Sequence, residues 1–427
     1  TATSKRIAAV NRAGVADPRS LANYRHLWKE LVYQIVVDTS AGAHLRDVDG
    51  HDYLDVTLGF GANLFGHSPA FVTEALTEQL TRGVHIGPQS PLTGEVAALI
   101  REFTGMERVT FCNTGSEAVL AAVRIARTVT QRTTIVYFSG DYHGLFDEVL
   151  QRPHAVDGQP GAAPIAPGIP PRAGANVIVL DYGTPAALET IRRLGSTLAA
   201  VLVEPVQSRH PELQPREFLH ALREITHACG TILIFDEVIT GFRIHPGGAQ
   251  AWFGVKADLA TYGKVIGGGL PMGALAGSAR CMDALDGGAW NFGDDSAPEA
   301  DLTFFAGTFV RHPLALAGAR ASLLHLKAGG PDLQTALNRR TTALADTLNA
   351  FFAAAALPLR IHHFGSLFRF HFPAELPHAT LLVYALLERG IYVRDAHQNC
   401  FLSTAHTDDD VARFVAAVQA GVAELQQ

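Results

Sequence analysis

Apolar residues run through the middle of the chain in two alternating rhythms. Thr134–Phe138, Asn176–Leu180, Ala199–Val203 and Thr231–Phe235 are short β-branched or aliphatic runs, with the length and composition of buried strands. Between them, Glu117–Arg127 and Phe218–Ala228 place apolar residues at helical spacing. Strand and helix in alternation predict an α/β fold, a doubly wound and mostly parallel sheet. The two ends follow other patterns. Ala43–Val48 and His51–Val56 flank Asp49-Gly50, a strong hairpin signal. Residues 331–353 read as a long helix, and Leu359–His363, Leu367–Phe372 and Ile391–Arg394 as strands. Asp408–Glu424 reads as a closing helix, with Thr407 as its N-cap and three aspartates in a first turn that favours negative charge. The ends are expected to join into a smaller α+β domain, residues 1–75 as its N-terminal part and 311–427 as its C-terminal part, beside a large domain at 76–310. Residues 153–174, rich in proline, glycine and alanine, are expected to form a long surface loop over a site rather than a domain boundary.

Composition narrows the class. Of 427 residues, 48% are hydrophobic and 18% charged, the balance of a chain with a large core rather than a disordered one. A net charge of −7 argues against a nucleic-acid or membrane-surface partner. No apolar run approaches the roughly twenty residues a membrane span needs, and the first residues do not resemble a secretory signal, so a cytoplasmic location is expected. Cys112, Cys229, Cys281 and Cys400 are widely spaced and form no CxxC pair. They are expected to be free thiols in a reducing compartment, and no spacing supports a metal site.

Four segments carry candidate chemistry, each at a strand end or a helix start, where open α/β sheets bind ligands. Asn113-Thr114-Gly115-Ser116-Glu117 opens a helix; its backbone N–H groups and the hydroxyls of Thr114 and Ser116 suit a phosphate, although a plain helix cap would look the same. Asp236 ends an apolar strand, where a carboxylate can pair with a protonated ring nitrogen, form a structural ion pair or bind a metal. Lys264 lies in Gly263-Lys-Val-Ile-Gly-Gly-Gly. A lysine with so few charged neighbours is desolvated, which lowers its pKa and makes it a nucleophile. Tyr142, in Tyr142-His143-Gly144, can stack on a flat ring or serve as an ordinary loop aromatic. Alone, each signal is ambiguous; in this order they read as a phosphate turn, a stacking aromatic, an acid for a ring nitrogen and a lysine.

Together with Asn113-Thr-Gly-Ser-Glu-Ala, Glu204-Pro-Val-Gln, Asp236-Glu-Val-Ile-Thr-Gly-Phe-Arg and Gly307-Thr308, these segments resemble the class III aminotransferases of pyridoxal 5′-phosphate (PLP) fold type I, over nearly the whole chain. The resemblance implies that Lys264 holds PLP as a Schiff base, Asp236 meets the pyridine nitrogen, and Tyr142 and Val238 cover the two ring faces. Thr114, Gly115 and Ser116 are assigned to the phosphate, His143 and Glu204 to the cofactor pocket, and Thr308 to the phosphate of a neighbouring subunit, which implies a homodimer with shared sites. The expected activity is transfer of an amino group from an amino-acid donor to a keto or aldehyde acceptor. Ile86-Gly-Pro-Gln-Ser-Pro, Phe304-Phe-Ala-Gly-Thr-Phe and Asn399-Cys-Phe-Leu-Ser-Thr-Ala-His-Thr are similar to the aminotransferase domains embedded in polyketide and nonribosomal peptide megasynthases of the mycosubtilin synthetase type. That similarity implies a β-keto acyl thioester on an acyl carrier protein as acceptor. The alternative is a glutamate-1-semialdehyde-like aminomutase. Arg209 and Gln398 stand where relatives of the ornithine and aminomutase types carry glutamate, and both are candidate substrate residues, Arg209 for an anionic group.

Overall fold

The computed structural model describes all residues except 22, 23, 157, 374, 375, 377 and 427. The chain divides into two compact units, Phe71–Gln334 and Thr1–Ala70 with Thr335–Gln427.

The larger unit is built on a seven-stranded sheet in the order Arg108–Cys112, Gly273–Gly277, Leu259–Tyr262, Ile232–Asp236, Leu198–Val203, Thr134–Phe138, Val177–Leu180. Gly273–Gly277 runs antiparallel to both its neighbours, and the pairings from Leu259–Tyr262 outward are parallel. Every residue of Leu198–Val203 and of Ile232–Asp236 is buried, which explains why these strands read as unbroken apolar runs rather than as alternating ones. The helix Gly115–Thr130 packs on the sheet through Ala118, Ala121, Ala122, Val123 and Ile125; the small alanines let its axis lie close to the strands. Each fully buried valine, leucine or isoleucine here contributes about 1.5–3 kcal/mol. The strand ends at Cys112, Asp236 and Tyr262 lead directly into the chemistry-bearing segments.

In the smaller unit, Val37–Ala41, His44–Asp47, Asp52–Asp55 and Ile391–Tyr392 form one sheet, and Arg360–Phe364, Leu367–His371 and Cys400–Phe401 another. Ile391–Tyr392 pairs in parallel with Leu54-Asp55, so residues from both ends of the chain share a sheet. At the Asp49-Gly50 turn the Asp47 carboxylate accepts the N–H groups of Asp49 and His51 at 2.9 and 2.8 Å, and Gly50 takes φ +87°. Thr407 and Asp410 cap the helix Asp408–Leu425 reciprocally.

Several expectations need correction. Residues 153–174 are not a structureless loop: Gln151–Val156 and Gln159–Pro164 pair as an antiparallel ribbon. Proline hides such strands in a sequence, yet a two-stranded ribbon tolerates it because half of its N–H groups need no partner. The long helix starts at Pro313, not 331, and runs to Ala354 with a break at Gly330 (φ 61°, ψ −168°). Pro331 fits the first position of the second segment, which is why the sequence reads as a helix start there. The division between units falls inside this helix, at 334/335, rather than ahead of it at 311. The strand at Ile391 is shorter than expected, ending at Tyr392.

Candidate active site

The phosphate-like turn is a helix start with its cap already in place. Thr114 is extended (φ −144°, ψ 159°), and its hydroxyl accepts the N–H of Glu117 at 3.2 Å. The Glu117 carboxylate in turn accepts the N–H of Asn113 at 2.6 Å. Thr114 therefore serves the cap, and the backbone N–H groups of Gly115 and Ser116, in the first turn where no intrahelical acceptor exists, are available to an anion. Two glycines shape the surroundings. A Cβ on Gly115 would lie 2.7 Å from Val238 Cγ2, and one on Gly144, whose φ is +106°, would lie 2.7 Å from Ser116 Cβ.

Lys264 follows the strand Leu259–Tyr262 and opens a short 3₁₀ turn to Gly267. Its backbone sits at φ +47°, a left-handed conformation that costs an ordinary residue about 1–2 kcal/mol. Strain of that kind clusters where function demands a fixed side-chain direction. Desolvation lowers the pKa of its amine, with Asp236 and Glu204 pulling the other way and Arg243 adding to the lowering.

Asp236 ends a fully buried strand. Its Oδ1 accepts the N–H of Val238 and the hydroxyl of Thr261, each at 3.1 Å. Its Oδ2 lies 2.9 Å from His143 Nδ1. The other ring nitrogen, Nε2, lies 3.1 Å from Asp141 Oδ2, and Asp141 Oδ1 accepts from Gln207 Nε2 at 2.7 Å. Burial disfavours the charged form of His143, but the hydrogen bonds and charges of Asp141 and Asp236 outweigh it and push the imidazole up to about 10. Glu204 fixes the neighbouring loop by accepting the N–H groups of Tyr142 at 3.1 Å and Ser208 at 2.5 Å. Burial, reinforced by the Asp141 charge, raises its carboxyl to about 7. The next carboxylate, Glu237, is fully buried and accepts the N–H groups of Ala249 and Gln250; it holds the backbone together rather than facing the site.

Gly115, Ser116, Tyr142, His143, Glu204, Asp236, Val238 and Lys264 line one cavity of about 170 Å³. The fold thus brings most of the expected residues together. Thr114 stands behind the turn. Thr308 is exposed and does not line the cavity. Arg209 is also exposed, its guanidinium 5.9 Å from the centre of the Tyr142 ring. Gln398 belongs to the smaller unit, in the loop before Cys400. A roomier cavity of about 360 Å³ lies within that unit and contains none of these residues. Sequence reasoning missed Asp141, Gln207 and Thr261. Asp141 left a signal, a carboxylate two positions before His143, and Gln207 closes the Glu204-Pro-Val-Gln motif without having been given a role.

A desolvated amine, a buried carboxylate and a free helix start on one small cavity, with two glycines admitting close approach, fit a phosphorylated ring cofactor that takes an amine covalently. A family model for class-III aminotransferases matches residues 28–417. The chain belongs to the class-III aminotransferase family. Among curated relatives, this aminotransferase-family chain is 36% identical to glutamate-1-semialdehyde 2,1-aminomutase of Chloroflexus aggregans, over 92% of this chain and 91% of the relative. Among solved structures it is similar to an omega-transaminase from Sphaerobacter thermophilus (28% identical, TM-score 0.88, covering 99% of this chain and 98% of that one). It is likewise similar to a β-phenylalanine aminotransferase from Variovorax paradoxus (31% identical, TM-score 0.82, covering 100% and 95%). As a class-III aminotransferase the protein is a PLP-dependent enzyme of fold type I.

Proposed function

We propose that this cavity moves an amino group to a carbonyl carbon, from a separate amino-acid donor or within one substrate, with Lys264 as both the covalent anchor of PLP and the proton carrier. The observation that carries the reading is the convergence of Lys264, Asp236 and the Gly115–Ser116 helix start on one cavity. Bound PLP supplies an aldehyde that condenses with amines and a protonated ring that withdraws electrons from the substrate carbon. The chain's own residues do the rest. Gly115 and Ser116 would hold the phosphate through backbone N–H groups. Asp236 would hold the proton on the ring nitrogen. Val238 and Tyr142, both on the cavity lining, would cover the two ring faces. Lys264 Nζ would hold the proton taken from the donor carbon and deliver it to the carbon that had carried the cofactor's aldehyde oxygen, a task that requires an amine neutral near working pH; desolvation shifts it toward that form. Thr308, exposed in its own chain, suits a role in a second copy, and we read the enzyme as a homodimer.

The substrate is the finer question. The similarity to aminomutases over nine-tenths of the chain favours a small amino-aldehyde, rearranged without a separate donor. A carrier-bound β-keto thioester rests on the motif resemblance and on Arg209, whose guanidinium over Tyr142 suits an anionic arm such as a pantetheine phosphate; none of the relatives named above is described as acting on such a substrate. The deciding experiment follows the visible band of the PLP-loaded protein. Wild type should show the band and Lys264→Ala should not; an unchanged covalent complex in the variant would remove Lys264 from its role. Turnover of glutamate-1-semialdehyde alone would establish the aminomutase reading. Conversion of a carrier-bound ketone only with an amino-acid donor would establish the other, and its loss in Arg209→Ala would assign the anion contact.

A further inference from the structure

Linked to Asp236 on the cavity wall is a buried row of groups that the proposed chemistry does not itself use: His143, Asp141 and Gln207. We propose that Asp141 is a positioning residue, which holds His143 in its doubly protonated form between two carboxylates and so fixes the orientation and charge of Asp236 toward the cofactor ring. The inference rests on the reading of Asp236 given above.

The argument is one of counting protons. A neutral imidazole has one N–H and one lone pair. Here each ring nitrogen faces a carboxylate oxygen, at 2.9 Å for Asp236 and 3.1 Å for Asp141. A lone pair aimed at either oxygen would be repelled, and burial of both side chains leaves that repulsion poorly screened. Both hydrogen bonds therefore need a proton, and the three groups together carry one negative charge. His143 has none of its side chain exposed, nor does Asp141. Asp141 cannot drift away: its Oδ1 is held by Gln207 Nε2, which also donates to Ser139 O at 2.8 Å, and its Oδ2 also takes the N–H of Glu204 at 3.4 Å. The ring of Tyr137 meets His143 edge-on at 5.7 Å, so the imidazole is confined from the side as well. The other charged groups on this wall are Glu204 and Lys264. With an amide in place of Asp141, one anion is lost, and the dry environment then favours neutral His143, which can donate to Asp236 but no longer needs a fixed ring orientation.

The test uses the full-length apo protein, labelled with ¹⁵N at histidine, as wild type and as Asp141→Asn. In wild type the buried His143 resonances should report a charged ring from pH 6 to pH 9. In the variant the ring should lose its proton within that range. PLP titrated into both proteins should bind the variant about tenfold more weakly, the lower end of the loss seen when residues supporting a metal ligand are removed. A neutral His143 in wild type at pH 7.5 overturns the proposal, and that measurement does not depend on whether the variant folds. Equal PLP affinity and an unchanged imidazole in a folded Asp141→Asn protein also overturn it. If wild type fails to bind PLP at all, the reading of the cavity falls instead, while the histidine titration still decides the proton count.

Discussion

Two buried glutamates, side by side in function but not in contact with the same partners, set the acid–base behaviour at the residue scale. Glu204 and Glu237 are both pushed up to about 7, burial being the main cause in each. A carboxyl whose folded pKa is raised contributes stability that is complete below its unfolded value, near 4.5, and is lost as pH rises through the folded one. His143, raised to about 10, contributes stability that is complete below about 6.5 and is lost toward pH 10. Lys264, lowered by desolvation, works in the opposite direction, regaining stability as pH rises toward its ordinary value. Three groups against one make the apo protein more stable at pH 6 than at pH 9. Urea denaturation at both values checks this, and Glu237→Gln should flatten the part of the loss between pH 4.5 and 7. A stability that rises across that interval would contradict the assignment.

At the element scale, the helix start at Thr114 and the turn at Gly144 are mutually fitted. Alanine at Gly144 would add a Cβ 2.7 Å from that of Ser116 and would have to hold φ +106°. Gly144→Ala should cost about 1–3 kcal/mol in thermal or urea unfolding and weaken PLP binding by displacing Ser116; affinity within twofold of wild type would show that Ser116 does not help hold the phosphate. The sequence made most of this level legible. Strands such as Thr134–Phe138 announce themselves because burial on both faces selects β-branched and aromatic residues, and the helix from Gly115 because its apolar stripe repeats at 3.6. Other strands stayed hidden. Gly273–Gly277 reads Gly-Ala-Leu-Ala-Gly, with no β-branched residue, and is a strand because its neighbours on both sides supply hydrogen-bond partners. The ribbon Gln151–Pro164 was obscured by its prolines. Lys264 and Asp236 could be found because charged residues in apolar strings are conspicuous. Thr261 and Gln207 could not, because ordinary polar residues acquire meaning only from the carboxylates they touch.

For the whole molecule, one exposed stretch asks for a partner. Trp290, Phe292, Phe304 and Phe309 leave 48, 93, 75 and 57% of their surface uncovered within 20 residues of chain. Exposed apolar side chains are candidates for an association site, and the homodimer proposed above makes a second copy of the chain the occupant to test. Sedimentation at micromolar concentration should show a dimer, and Phe304→Ser should weaken it; a monomeric wild type would exclude shared sites. Because the candidate PLP ligands belong to the larger unit, PLP at about 100 times its dissociation constant should stabilise that unit by about 2.7 kcal/mol, visible as a raised melting temperature. Among the described residues no helix is long and apolar enough to cross a membrane, and the four cysteines carry free thiols.

The left-handed backbone at Lys264 has a practical side. An engineer seeking a sturdier scaffold would find that glycine at this position relaxes the main chain where alanine would not, so that the more durable of two inert proteins is the one with the smaller side chain. In the role proposed for Lys264, durability is exchanged for reactivity at a single peptide unit.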